Sequence, residues 1–251
     1  MATLTDIVDF LDKELNIAEI PDYSGAMNGL QIENGGEVNR VAAAVDASLP
    51  VFEKAVADKV DLLVVHHGMF WQGAQKITGS TYRKLKLAMD AGMALYSSHI
   101  PLDVHPAWGN NRLLANELGM TKAEPFFDWK GIQLGLRQQT DLDLDSLVAS
   151  VTQAVGGRVH VCNGGSSQAG MVGIITGGAG SEVAAMAEEG INTFITGEGP
   201  HWSYPLAEEL GINLIYAGHY ATETFGVKAL TAVLRGEFDV SSTFIDHPTG
   251  L

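Results

Sequence analysis

Cys162 is the only cysteine in the 251 residues, so no internal disulfide can form, and this scarcity of thiols fits a reducing cytoplasm. Basic residues are also few. Fifteen Lys and Arg stand against 30 Asp and Glu, a formal charge of −15. Such a chain repels a phosphate backbone and gains nothing from counterion release, so the expected partners are small molecules and cations rather than nucleic acid. No apolar run approaches the ~20 residues that a membrane span requires. Met1 to Thr5 lack the basic-then-apolar layout of a secretory leader. Both absences predict a protein of the cytoplasm with no membrane partner. Charged residues of all kinds reach only 18%, against roughly 25% in ordinary globular proteins. That shortfall predicts surface hidden in subunit contacts. Missing motifs exclude further chemistry. No Gly-rich loop ends in Lys-Ser/Thr, and Gly173 to Gly180 (GIITGGAG) miss the dinucleotide spacing. No serine nucleophile elbow is present, and Cys162 lies in no recognised signature.

What the chain does have is 46% apolar residues in a regular order. Leu4, Ile7, Val8, Leu11 and Leu15 recur at helical spacing, with Thr3 or Thr5 available as the cap. Ser24 to Gly36 reads as a turn-rich loop around a short Leu30–Ile32 segment. From Val41 the pattern alternates: strands at 41–45, 62–65 and 94–96, with helices at 50–58 and 82–91 between them. A helix at 111–118, an irregular stretch at 121–130, a strand at 131–137, a helix at 144–155 and a strand at 158–161 follow. The pattern then returns. Val41–Ser48 aligns with Val172–Ala179 and Asp61–Gly68 with Asn192–Gly199, each pair 131 residues apart (41 to 172, 61 to 192). Leu95–His99 aligns with Ile215–His219 at 120 (95 to 215). Three matches in one order argue for internal duplication. The expectation is an α/β protein of two similar, tightly packed lobes, 1–125 and 126–251, with mostly parallel sheets flanked by helices. The final helix is free to pack back on the first lobe.

In such sheets ligands gather beyond the carboxyl ends of the strands. There the chain puts His66-His67, His99 and Asp103, and in the second half Glu198, His201, His219 and Glu223. Imidazole and carboxylate together suit zinc, iron, manganese or nickel. Each group has an ordinary alternative. A strand-end histidine pair serves as a hydrogen-bonding surface feature, His99 with Asp103 as a loop brace, and Glu223 as a carboxylate favoured in a first helical turn. Convergence decides for a site, because four of the eight histidines fall at equivalent strand ends. His105, His160 and His247 lack such company, and Trp71, Trp108 and Trp202 suit either a roof over a ring or ordinary packing.

Five segments carry a wider resemblance: Asn28-Gly29-Leu30-Gln31, Val64-Val65-His66-His67-Gly68, Ser98-His99-Ile100-Pro101-Leu102-Asp103, Thr196-Gly197-Glu198 and Gly218-His219-Tyr220-Ala221-Thr222-Glu223. Through nearly its whole length the chain resembles the NIF-three-like family, the type-two GTP cyclohydrolase homologues. The resemblance implies two divalent ions per chain: His67 and Asp103 on one, His66 and His219 on the other, Glu223 on both, and His99 as a nearby or additional ligand. It also implies a ring-shaped homohexamer. One departure is that members commonly carry two histidines after Thr-Gly-Glu, whereas His201 here precedes Trp202.

Two functions fit this reading. One is a metal-dependent hydrolase of a small molecule, such as a nucleotide or cyclic amide or ester, with His99 or His201 moving protons. The other is a non-catalytic metal-binding or assembly protein whose ions serve structure or storage.

Overall fold

The computed structural model describes residues 2–71 and 73–251. Its contacts divide the chain into two units, 1–102 with 226–247, and 103–225 with 248–251. The division falls at Leu102 rather than near residue 125, and the greater part of the final helix groups with the first unit.

The first unit opens with β1 (Ala2–Thr3) and α1 (Leu4–Glu14). Of the two threonines, Thr3 is the cap: its hydroxyl accepts from the Asp6 amide at 3.1 Å and donates to the Asp6 carboxylate at 2.7 Å. Leu4, Ile7 and Leu11 form the buried stripe. Next come β2 (Gly29–Ile32), β3 (Glu37–Val38), β4 (Arg40–Asp46), α2 (Leu49–Ala57), β5 (Leu62–His67), α3 (Gly79–Ala91), β6 (Ala94–Ser97) and the short α4 (Ile100–Val104). Strands β4, β5 and β6 lie parallel and adjacent, with β2 antiparallel at one edge. Continuous burial of Leu62 to His66 marks β5 as a strand covered on both faces. One face packs Phe52, Leu63, Val65, Ala88 and Leu95 into a common core.

The second unit holds α5 (Asn110–Glu117), β7 (Glu124–Trp129), β8 (Ile132–Asp143), α6 (Leu144–Val155), β9 (His160–Asn163), β10 (Gln168–Ile174), α7 (Val183–Glu188), β11 (Thr193–Thr196), α8 (Ser203–Leu210) and β12 (Asn213–Tyr216). Then α9 (His219–Glu237) leads to β13 (Ser241–Phe244), which pairs parallel with β4 in the first sheet. Six strands form the second sheet in the order β7-β8-β10-β11-β12-β9. Mostly parallel pairing describes the first sheet. In the second, only β10, β11 and β12 are parallel, while β7, β8 and β9 join antiparallel. The stretch 121–130, read as irregular, contributes β7, because its pairing partner β8 is supplied by the neighbouring hairpin arm.

The two sheets repeat one three-strand unit, down to its helix ends. After α2, the Val60 amide bonds to the Ala55 carbonyl with Lys59 left-handed at φ 56°; after α7, Ile191 bonds to Met186 with Gly190 at φ 75°. These are Schellman closures 131 residues apart (59 to 190). After α3 and α8, Gly92 and Gly211 take the same role, 119 apart (92 to 211). Strand pairing agrees: Leu62 faces Ala94 and Thr193 faces Asn213. The third offset is therefore 119, not 120. By register His99 corresponds to Gly218, and His219 comes one residue later.

Candidate metal centre

Three histidines of the first unit converge. His66 and His67 end β5, and His99 follows β6, with ring centroids 4.7 Å (66–67), 5.0 Å (66–99) and 5.5 Å (67–99) apart. Their candidate ligand atoms all lie within 4.8 Å of one another. Parallel pairing explains the meeting, since adjacent strands bring their ends to one edge.

Every ring is braced at Nδ1. His66 Nδ1 meets the Ser98 carbonyl at 2.9 Å, His67 meets Asp46 at 2.8 Å, and His99 meets Asp22 at 2.8 Å. Asp46 is the cross-strand neighbour of His67 in the β4–β5 register, so the sheet itself forms that pair. Asp22 comes from the loop after α1 and collects further donors: Asn28 Nδ2 at 2.9 Å, the Tyr23 amide at 2.6 Å and the Ile100 amide at 3.1 Å. Burial pushes its carboxyl up, but the bond and charge of His99 with the Asn28 and Tyr23 donors outweigh that and hold it below the ordinary value.

These contacts give the Asn28-to-Gln31 segment a physical role. Asn28 Oδ1 accepts the His99 amide at 2.8 Å. Gln31 Oε1 accepts the Met69 amide at 2.8 Å, and its Nε2 donates to the Met27 carbonyl at 2.6 Å, which ties down the turn after His67. A Cβ at Gly68 would overlap the Gln31 amide and the Ser97 hydroxyl, so the bare backbone lets both side chains pack against this turn. Trp71 stands edge-on to His99 at 4.8 Å and to His67 at 5.8 Å, with its indole N–H given to the Gly68 carbonyl. It packs the histidine cluster.

In the second unit, His219 and Glu223 occupy one face of α9, with Nε2 and Oε2 3.2 Å apart. On its other side His219 Nδ1 meets Glu198 Oε1 at 2.8 Å. A neutral imidazole has one proton and can donate to only one carboxylate. Contact with both therefore calls for a second proton or a cation. Glu223 itself is buried, at 2% exposed. Gly177 (φ 71°) adjoins it, and a Cβ there would overlap Glu223 Oε1. The glycine run that misses the dinucleotide spacing thus serves this carboxylate. Asp103, also buried, has Oδ1 fixed by Asn110 Nδ2 at 2.8 Å and the Thr176 hydroxyl at 3.2 Å. The donor set is of the kind that holds first-row divalent ions.

His201 is placed differently. It lies exposed in the turn before α8 and joins no potential metal-binding group among the described residues. Trp202 beside it is 50% exposed. His105 stacks on Trp108 at 4.4 Å and accepts that residue's amide at 2.9 Å, a local loop brace. His160 lies tilted against Tyr204 and parallel to Tyr216. Sequence reasoning passed over Asp22 and Asp46. The signal for Asp46 was its position at the end of a strand adjacent to β5; Asp22, 77 residues before His99, left none.

Fold and site together define an α/β protein with histidine and carboxylate clusters able to bind a metal ion. Residues 2–249 match the family described as Duf34/NIF3 (NGG1p interacting factor 3), and the chain belongs to that family. Two relatives bear the name GTP cyclohydrolase 1 type 2 homolog. That of Deinococcus radiodurans is 39% identical over 248 residues, 98% of this chain and 94% of its own. That of Pyrococcus abyssi is 42% identical over 250 residues, 98% of each chain. Among solved structures, TTHA1606 from Thermus thermophilus superposes with a TM-score of 0.87 at 37% identity, covering 99% of this chain and all of that one. Reduced HcgD from Methanocaldococcus jannaschii gives 0.88 at 26%, covering 98% of each.

Proposed function

We propose that the chain is a metal-dependent hydrolase of a small molecule, using two divalent ions held by His66, His67, Asp103, His219 and Glu223. The observation that carries this reading is the cluster of braced imidazoles whose ligand atoms lie within 4.8 Å of one another. Three braced histidines, together with buried carboxylates, make a donor set suited to zinc, iron, manganese or nickel. When bound, a pair of such ions lowers the pKa of water and polarises the bond to be cleaved. The chain's own part is to orient the donors and move protons. His99, fixed by Asp22, is set to pass a proton at Nε2; His201, on its exposed turn, serves the same role only for a substrate that reaches it.

A nucleotide or another cyclic amide or ester is the substrate class that a hydrolytic centre of this kind serves. The name of the relatives, GTP cyclohydrolase 1 type 2 homolog, supports a ring-opening hydrolysis. We further propose that the protein works in the cytoplasm as a homohexamer. Among the described residues no helix is long and apolar enough to cross a membrane.

The test is elemental analysis of protein purified without chelators or affinity metals, followed by a substrate panel. Two ions per chain in the wild type, falling sharply in Glu223→Ala, support the centre. Turnover by the wild type that is lost in Asp103→Ala supports the hydrolase. Metal without turnover, and with Glu223→Ala only less stable, would select the non-catalytic metal-binding or assembly role instead.

A further inference from the structure

We infer that Asp22, Asp46 and Glu198 are positioning residues that hold the proton of His99, His67 and His219 at Nδ1, which leaves Nε2 free to coordinate a metal at His67 and His219 and to take a proton at His99. The inference rests on the metal-centre reading above and adds three residues to it.

The argument is one of proton counting. A neutral imidazole carries one proton, on Nδ1 or on Nε2, and only the other nitrogen can donate a lone pair to a metal. An ionised carboxylate accepts hydrogen bonds and donates none. Asp22, Asp46 and Glu198 each stand 2.8 Å from an Nδ1, so each contact requires the proton at Nδ1. The lone pair is thereby assigned to Nε2. For His99 and His67 that atom belongs to rings gathered into one cluster; at His219 it faces a second carboxylate, Glu223, at 3.2 Å, so there the Nδ1 proton held by Glu198 leaves Nε2 to a cation shared with Glu223. The three acids come from unrelated places: a loop after α1, the end of β4, and the turn after β11. Local chain geometry does not generate such agreement. His66 reaches the same tautomer through a neutral acceptor, the Ser98 carbonyl at 2.9 Å, and so needs no acid.

Carboxylate, carbonyl and water are the usual outer partners of metal-bound histidines, and their loss typically costs about 10- to 100-fold in affinity. The amide substitution is the sharper probe. An Asn at position 46 can turn its NH2 toward Nδ1 and drive the proton to Nε2, the tautomer that cannot bind a metal. Asp46 suits this test best, since its side chain is 31% exposed and tied to His67 across the strand pair, whereas Asp22 also holds a loop.

The experiment uses the full chain labelled with 15N-histidine. In metal-free protein at a pH where the histidines are neutral, long-range 1H–15N correlations report which ring nitrogen carries the proton. Wild type is expected to show Nδ1–H at His67, with D46N moving His67 to Nε2–H and leaving His66 as it was. At His219, whose Nε2 faces Glu223, E198Q is expected to remove the proton from Nδ1 and leave it on Nε2. Zinc titration against a competing chelator then reads about a 10- to 100-fold loss in D46N and a partial return in D46E. Thermal melts of the metal-free proteins guard against unfolding; should D46N fail to fold, E198Q decides alone. An unchanged tautomer with unchanged zinc affinity in both variants overturns the inference while leaving the metal centre standing. A wild type that takes up no zinc, iron, manganese or nickel overturns the metal reading, and this inference with it.

Discussion

Glu223 and Gly177 act as one feature, because the absence of a side chain at 177 makes space for the carboxylate. Gly177→Ala would place a Cβ onto Glu223 Oε1 and force a left-handed φ of 71° on an L residue. The backbone penalty alone is about 1–2 kcal/mol. The expected result is a lower melting temperature together with fewer ions per chain, read by calorimetry and elemental analysis. An unchanged metal count would separate Gly177 from the centre. The Asp22–His99 pair gives a pH prediction. Its carboxyl lies below the ordinary 3.8 in the folded chain, so the unfolded chain binds the proton more readily. The pair's stabilisation is full above that ordinary value and is lost as pH falls through the lowered one. Urea midpoints of wild type and Asp22→Asn should therefore differ at pH 6 and converge toward pH 3. A constant gap would refute the linkage. At this scale the metal-ligand candidates were legible, since histidine and carboxylate at strand ends are conspicuous. Asp22 and Asp46 were not, because loop closure and strand register supply their partners.

Strand ends and helix closures explain why the site histidines are held so closely. Both repeats return from helix to strand through Schellman turns, and three of the four described above put glycine at the left-handed residue. Lys59 is the exception, with φ 56°. Lys59→Gly should accordingly raise stability, by about 1 kcal/mol, measured as an increased urea midpoint with unchanged slope. A lower midpoint would mean that the lysine side chain contributes more than the backbone loses. Thr3→Ala should remove the cap of α1 and cost about 1 kcal/mol by the same measurement. Most helices and central strands were legible from apolar periodicity. The strand β7 and the antiparallel edges of the second sheet were not, since a short segment that carries a proline and no regular alternation becomes a strand only when a partner is beside it. The repeat was legible to within one residue. Register places His219 at an offset of 119 plus one from His99, so the two histidines are not equivalent positions.

For the whole molecule, a formal charge of −15 accompanies histidine and carboxylate clusters able to bind a metal ion. Light scattering should give six times the chain mass of 26.7 kDa for the proposed homohexamer. A monomer mass, with or without metal, would overturn it. The alternation of helices with the central strands, the repeated three-strand unit and the residue types for metal binding follow from the sequence by itself, because periodicity and strand-end chemistry are local properties. Only the tertiary structure decided which acid braces which histidine, which glycine makes room for Glu223, and where the chain divides into units. Those features depend on contacts between residues tens to hundreds of positions apart, such as Asp22 with His99 and β13 with β4, and no local pattern encodes them.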